Sequence, residues 1–251
     1  MSGHSKWSKI KRTKGASDVK RGALFSKLAK EITIAAKSGG GDPAGNVRLR
    51  SAILSARAQS MPNDNIERAI KRGTGEGADA QHFDEIVYEG YAPGGVAVIV
   101  EAATDNKNRT AADIRRIFTK NDGALATSGS VSYMFHKKGR ITVPRATIQE
   151  ERIFEIALEA GAEELTTEEE QYVITTAHDQ LYAVAEALKH SGVTTDGQKL
   201  TFIPDTIVPV TDEEIALQVL RLCDSLEEDD DVQSVYSNLD ISDELLARLP
   251  A

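Results

Sequence analysis

Residues 83–102, FDEIVYEGYAPGGVAVIVEA, decide the fold class of the chain. Apolar and polar side chains alternate over 83–91, which is the spacing of a strand with one buried face. Pro93-Gly94-Gly95 is typical of a turn, and 96–102 is almost wholly apolar, as in a strand buried on both faces. The stretch therefore predicts two consecutive strands and the start of a mixed helix-and-sheet region.

A helical region is predicted before this pair of strands, because apolar residues recur there at intervals of three and four. Three helices are expected, over 18–37, 44–60 and 62–72. Asp18 is the candidate cap of the first, and the third carries the capping-box spacing Asp64-x-x-Glu67 and stops at Gly73. Short connections between the helices predict a small bundle.

After the two strands, residues 105–110 lead into a predicted helix that runs to about Lys120, and a third strand is predicted at 131–135. A ferredoxin-like order of elements is predicted next. Its strands are expected at 140–143, 162–165, 172–176 and 199–203, and its helices at 150–160 and 178–190. Three further elements follow, namely a strand at 207–210, a helix at 212–226 and a strand at 232–238. These last strands can complete the sheet that begins at Phe83.

The pattern as a whole predicts an α+β, multidomain chain. An N-terminal three-helix bundle, 1–75, is followed by two α/β sandwich domains, the last of them ferredoxin-like. The first α/β domain is discontinuous, 82–135 plus 207–240, and the ferredoxin-like domain, 136–206, is inserted into it. The alternative is three domains in simple succession.

Charge is divided unequally along a chain whose formal net charge is −9. The first 75 residues hold sixteen Lys or Arg against five Asp or Glu, whereas the other 176 hold fourteen against thirty-four. Such asymmetry predicts that the basic part binds a polyanion, most often nucleic acid. The predicted nucleic-acid-binding residues are Lys6, Lys9, Lys11, Arg12, Lys14, Lys20, Arg21, Lys27 and Lys30, extended by Lys71 and Arg72.

A second candidate anion site is the turn 105–110, which leads from a strand into a helix start. Lys107 and Arg109 stand there beside two asparagines, and helix N-termini attract anions. The alternative is that Asp105 or Asn106 only caps the helix and the two cations are solvated.

The residues do not favour an enzyme. The five histidines occur in separate elements without metal-ligand spacing, and no nucleophile elbow, phosphate loop or dinucleotide motif is present. No catalytic residues, metal site, cofactor or small-molecule substrate are therefore expected. The single cysteine, Cys223, fits a reducing cytoplasm, and no apolar run approaches the roughly 20 residues of a membrane helix.

Several motifs together resemble the YebC/PmpR family. They are GHSKW (3–7), KRGALFSKL (20–28), MPNDNIERAIKRG (61–73), YEGYAPGG (88–95), TDNKNRT (104–110) and GSVSYMF (129–135). The resemblance implies a three-domain cytoplasmic protein with a helical N-terminal domain and two α/β domains. It also implies a DNA-binding transcriptional regulator, although relatives such as the mitochondrial translational activator of cytochrome oxidase act on translation at the ribosome.

The residues leave the type of nucleic acid open. No zinc-finger or basic-zipper spacing supports sequence-specific reading of DNA, and basic arms on a small bundle suit structured RNA equally well. A ribosome-associated RNA-binding translation factor is thus the alternative to a transcriptional regulator. A protein-interaction scaffold built on the ferredoxin-like unit is a third hypothesis.

Overall fold

The computed structural model describes residues 18–76 and 82–249, with side chains from residue 22 onward. Its first helices are α1 (Asp18–Gly39), α2 (Val47–Ala58) and α3 (Asn63–Thr74). They pack around one apolar core to which Ile32, Leu49, Ile53, Met61 and Ile66 contribute. The predicted N-terminal helical bundle is confirmed.

The start of α2 is set by Asn46, which is buried between two helices. Its side-chain oxygen accepts a hydrogen bond from the amide of Leu49 at 3.0 Å, and its amide nitrogen donates to the carbonyl oxygen of Ala35 at 2.7 Å. The helix therefore begins at Val47, three residues later than predicted.

The predicted caps of α3 are wrong, although its start lies within one residue of the prediction and its end within two. The helix opens after Pro62 without a side-chain cap, so Asp64 and Glu67 form no capping box. Gly73 lies inside the helix, and the left-handed residue that ends it is Gly75, with φ 76°. Gly73 is required elsewhere, because a Cβ atom there would lie 2.3 Å from the carbonyl oxygen of Thr33 in α1.

The rest of the described chain contains ten strands and five α-helices. The strands are β1 (Asp84–Tyr91), β2 (Ala97–Thr104), β3 (Ala124–Leu125), β4 (Phe135–Pro144), β5 (Glu164–Thr167), β6 (Gln171–Ala177), β7 (Gly197–Pro204), β8 (Val208–Pro209), β9 (Val232–Ser237) and β10 (Leu239–Asp240). The helices are α4 (Lys107–Lys120), α5 (Glu150–Glu159), α6 (Leu181–His190), α7 (Glu213–Glu227) and α8 (Asp243–Arg248).

One sheet has the order β3-β1-β2-β9, with the β1–β2, β1–β3 and β2–β9 pairs all antiparallel. Its core includes Ile114 and Phe118 from α4 and Leu220 and Leu226 from α7. The predicted return of the chain at 232–238 to this sheet is confirmed. The strand at 207–210 does not join it, since β8 instead pairs in parallel with β10, and the edge position beside β1 belongs to β3.

The second four-stranded sheet has the order β5-β6-β4-β7, wholly antiparallel. With α5 and α6 in its core, this is the predicted ferredoxin-like arrangement, which is therefore confirmed. The predicted separate strand at 131–135 is wrong. A 3-10 turn, Ser132–Met134, precedes β4, because Val131 and Phe135 are buried against Ala97 and Ile99 of β2.

Candidate nucleic-acid interface

The predicted nucleic-acid-binding residues divide into those outside the described part of the chain and those that lie on three helices. Lys6, Lys9, Lys11, Arg12 and Lys14 lie outside the described residues, and so do the side chains of Lys20 and Arg21 in the first turn of α1. The others are Lys27 and Lys30 on α1, Lys71 and Arg72 on α3, and Lys107 and Arg109 on α4.

Lys27 and Lys30 lie one turn apart on α1 and both reach the acidic turn, residues 227–231, that joins α7 to β9. Lys27 Nζ donates a hydrogen bond to the backbone carbonyl of Glu227. Burial lowers the pKa of Lys27, although the charges of Glu227, Asp229 and Asp230 act in the opposite direction. In this arrangement the two lysines attach the helical bundle to the acidic turn.

Asp231 is the centre of this contact and is buried. Its carboxylate accepts hydrogen bonds from Lys30 Nζ at 2.6 Å, Arg109 Nη2 at 2.8 Å and Thr110 Oγ1 at 2.7 Å. Burial alone would raise the pKa of Asp231, but these donors hold it well below its ordinary value. The carboxylate is therefore ionised at neutral pH and joins α1 to α4.

The turn before α4 brings its two predicted cations to different carboxylates. Arg109 also contacts Asp105 at 2.9 Å, and Lys107 Nζ lies 3.2 Å from Asp84. Asn106 caps the helix, since its side-chain oxygen accepts from the amide of Arg109 at 3.1 Å. The helix cap at Asn106, which the sequence predicts as an alternative to an anion site, is thus present. To bind a phosphate, Arg109 would have to release both Asp105 and Asp231.

Lys71 and Arg72 have no such partners. They occupy the last turn of α3, where Lys71 is exposed and Arg72 half-exposed. Within residues 22–76 and 82–249 neither side chain makes a hydrogen bond or an ion pair. Among the described candidates they are the cations that can bind a phosphate without rearrangement.

Sequence reasoning misses two buried carboxylates, Asp231 and Glu89. Glu89 in β1 accepts hydrogen bonds from the amides of Gly129, Val131 and Ser132 at 2.7–2.9 Å. Burial opposes ionisation of Glu89, but the amide donors outweigh this effect and lower its pKa.

The sequence contains little that points to these two carboxylates. Glu85 lies on the same face of β1 as Glu89 but is exposed, so the alternation of apolar and polar residues does not distinguish Glu89 from Glu85. Asp231 is the last residue of an acidic run, and that position just before a strand is the one signal that the sequence contains.

The described residues offer little for other chemistry. They contain no group of three or more His, Cys, Asp or Glu side chains that could hold a metal ion. Cys223 is fully buried in α7, and burial raises the pKa of its thiol. Within the same ranges, no helix has the length and apolar character needed to cross a membrane.

Known proteins resemble this chain over its whole length. A probable transcriptional regulatory protein from Desulfotalea psychrophila is 55% identical over 249 residues, covering 99% of both chains. A protein of the same description from Chlorobaculum tepidum is 55% identical over 251 residues, also covering 99% of each. The crystal structure of a conserved hypothetical protein from Aquifex aeolicus superposes with a TM-score of 0.82 at 48% identity, covering 90% of this chain and 93% of that one.

Two family models also match. One describes the TACO1/YebC N-terminal domain and matches residues 5–76, which include α1 to α3. The other describes the TACO1/YebC second and third domain and matches residues 83–239, from β1 to the start of β10. The chain therefore belongs to the TACO1/YebC family.

Proposed function

We propose that this protein is a transcriptional regulator that acts by binding nucleic acid through its basic N-terminal part. The observation that carries the proposal is the division of charge, sixteen cations against five anions in the first 75 residues and an excess of anions beyond them. The names of full-length relatives in Desulfotalea and Chlorobaculum, which describe probable transcriptional regulatory proteins, support the regulatory role.

The proposed footprint begins with the cations of residues 6–21 and continues to Lys71 and Arg72. Lys27 and Lys30 adjoin it but hold the acidic turn, so they would contribute only by exchanging those partners. Lys107 and Arg109 form its proposed margin on α4, also engaged with carboxylates. Acidic residues elsewhere in the chain would repel the same polyanion and leave the basic end as the favoured approach.

Contacts to phosphate, rather than to bases, are expected to dominate. The exposed side of α3 carries Asp64 and Glu67 near its N-terminus, where a recognition helix would meet base edges. These carboxylates would face phosphates across a groove and be repelled by them. Weak sequence selectivity is the expected consequence.

The same observation makes a ribosome-associated translation factor the second candidate. Structured RNA is recognised largely by shape and by phosphate contacts, for which no groove-reading helix is needed. The helical bundle, with the basic residues that precede it in the sequence, suits that mode of binding as well as it suits DNA.

Salt dependence of binding tests the footprint. The affinity of the full chain for a DNA duplex and for a structured RNA is measured between about 50 and 200 mM salt. If six to ten cations contact phosphates, the affinity should fall about 10³ to 10⁵-fold over that range. A response that is nearly flat for both probes would overturn the proposal.

A pair of variants locates the binding surface. Lys71→Gln with Arg72→Gln should lower the slope of log affinity against log salt by about 0.7–0.9 for each phosphate that is no longer neutralised. Arg152→Gln with Lys189→Gln is the matched control, because both residues are exposed, lie in α5 and α6, and remove the same charge. An equal effect of the two pairs would mean that only net charge matters.

Sedimentation of a cell lysate distinguishes the two candidates. Heavy complexes that disappear on DNase treatment are expected for a transcriptional regulator. Cofractionation with ribosomes that survives DNase and is lost with RNase would instead identify a translation factor.

A further inference from the structure

The solvent face of α4 is an exception within the acidic part of the chain. Residues 76–251 contain fourteen Lys or Arg, and α4 alone holds five of them within 14 residues, against the single acid Asp113. Two of the five, Lys107 and Arg109, belong to the turn at the helix start and are paired with carboxylates. The other three, Arg115, Arg116 and Lys120, we call the α4 basic face.

These three side chains project from one side of the helix. Ile114 and Phe118 are buried in the core, whereas Arg115, Arg116 and Lys120 are exposed. At 100° per residue the three span about 140° of the helix circumference, on the side opposite the core. Within the described ranges, Arg115 and Lys120 make no side-chain hydrogen bond or ion pair.

Arg116 is the member with a partner, Asp113, at 3.1 Å one turn before it. Both side chains are exposed, and surface pairs of this kind contribute about 0–1 kcal/mol, so the guanidinium remains exchangeable. Two cations of the ferredoxin-like unit are engaged more fully. Lys138 binds Glu163, and Arg140 binds Glu168 while half-buried.

The α4 basic face has acidic residues along one of its edges. A surface cleft between α4 and the end of α7 is lined by Arg116 and Lys120 on one side and by Glu228 and Asp229 on the other. These carboxylates neutralise one edge of the face, whereas Arg115 does not line the cleft. The N-terminal end of α4 is linked to α1 through Asp231. The helix itself is about 20 Å long, since it contains 14 residues.

We propose that the α4 basic face is a second phosphate-binding surface, which extends nucleic-acid binding from the helical bundle onto the first sheet of the protein. The inference rests on the proposed function, since it assigns further residues to the same partner. Beyond the bundle, acidic residues outnumber basic ones by thirty-four to fourteen, so a strand bound at the basic end would otherwise meet mainly negative charge. Three cations over about two turns can follow a phosphate backbone, and Arg115, which pairs with no carboxylate of the described ranges, is free to make that contact.

The test uses the full chain with Arg115, Arg116 and Lys120 all replaced by Gln. The probes are a mixed-sequence DNA duplex and a structured RNA, titrated over a range of salt concentrations. The slope of log affinity against log salt should fall by about two to three units for the probe that the protein binds. The control is Arg145→Gln with Arg152→Gln and Lys189→Gln, which removes the same charge from exposed positions of the ferredoxin-like unit.

The outcomes separate this inference from the proposed function. A loss of slope in the α4 variant that exceeds that of the control supports the second surface. If the α4 variant and the control respond alike while the Lys71→Gln, Arg72→Gln pair lowers the slope, the second surface is overturned and the proposed function stands. If the unaltered protein binds neither probe, both are overturned. Circular dichroism verifies that each variant remains folded.

Discussion

Asp231 joins three parts of the chain through one carboxylate, from Lys30 in α1 to Arg109 and Thr110 in α4. The sequence predicts both Lys30 and Arg109 as phosphate ligands, because each lies among basic residues. Charge alone does not reveal that an aspartate 201 positions from Lys30 lies between them. A lysine or arginine binds a carboxylate and a phosphate with the same groups, so the partner depends on the tertiary fold.

Replacing Asp231 with Asn should destabilise the folded protein by about 1–3 kcal/mol, because the donors around it lose their charged acceptor. Urea unfolding monitored by circular dichroism measures the change. Asp105→Asn is the control, since Asp105 is exposed and shares only Arg109 with this cluster. Similar stability of Asp231→Asn and unaltered protein would show that the contact is weak.

The pH dependence of the same variant follows from the lowered pKa of Asp231. A carboxylate whose pKa is depressed by folding contributes stability above its unfolded pKa of about 3.9, and this contribution is lost as pH falls toward the folded pKa. The stability difference between unaltered protein and Asp231→Asn should therefore be constant above about pH 5 and shrink below it. A difference that grew on acidification would contradict the assignment.

At the level of elements, the sequence predicts the helices and strands that show a periodic pattern of apolar residues. It does not predict the helix ends that depend on tertiary packing. The periodicity of α1 and the alternation of β1 are properties of many residues, and both elements are predicted correctly. The end of α3 depends on a single glycine, and Gly73 and Gly75 are both suitable from sequence. Gly75 ends the helix, while Gly73 is needed for close approach to α1. Only the packed structure distinguishes these two uses of glycine.

The substitution Gly73→Ala tests whether Gly73 is needed for the close approach of α3 to α1. The added Cβ would meet the backbone oxygen of Thr33 at 2.3 Å and the Cβ of Ala36 at 2.8 Å, so α1 and α3 must separate. A loss of about 1–3 kcal/mol in the free energy of unfolding is expected. Gly22→Ala, in open space on α1, should instead gain about 0.5–1 kcal/mol from helix propensity. Stabilisation by both substitutions would exclude the close approach.

For the whole molecule, the basic and acidic parts of the chain are not fully separated in three dimensions. The acidic turn lies directly on the basic helix α1, and the α4 basic face lies beyond it. Composition reveals the two opposite ends of the chain. It does not reveal this interleaving, because averaging over 176 residues hides five cations in one helix.

The field of the acidic part should affect how fast nucleic acid is bound. Replacing Glu150 and Glu151, exposed at the start of α5, with Gln removes two negative charges from residues outside the proposed footprint. The association rate at low salt should rise by a small factor, with an unchanged dissociation rate, because steering acts on encounter. Stopped-flow measurement of both rates checks this. A change confined to dissociation would mean that α5 touches the ligand.

The residues at which the ferredoxin-like sheet begins and ends, Phe135 and Pro204, are paired with each other across β4 and β7. The chain thus leaves for this unit and returns from it at one point. Tension transmitted along the chain into this unit would therefore act on Phe135 and Pro204, at one end of the β4–β7 pair. The two strands would separate from that end, one residue pair after another, rather than all at once.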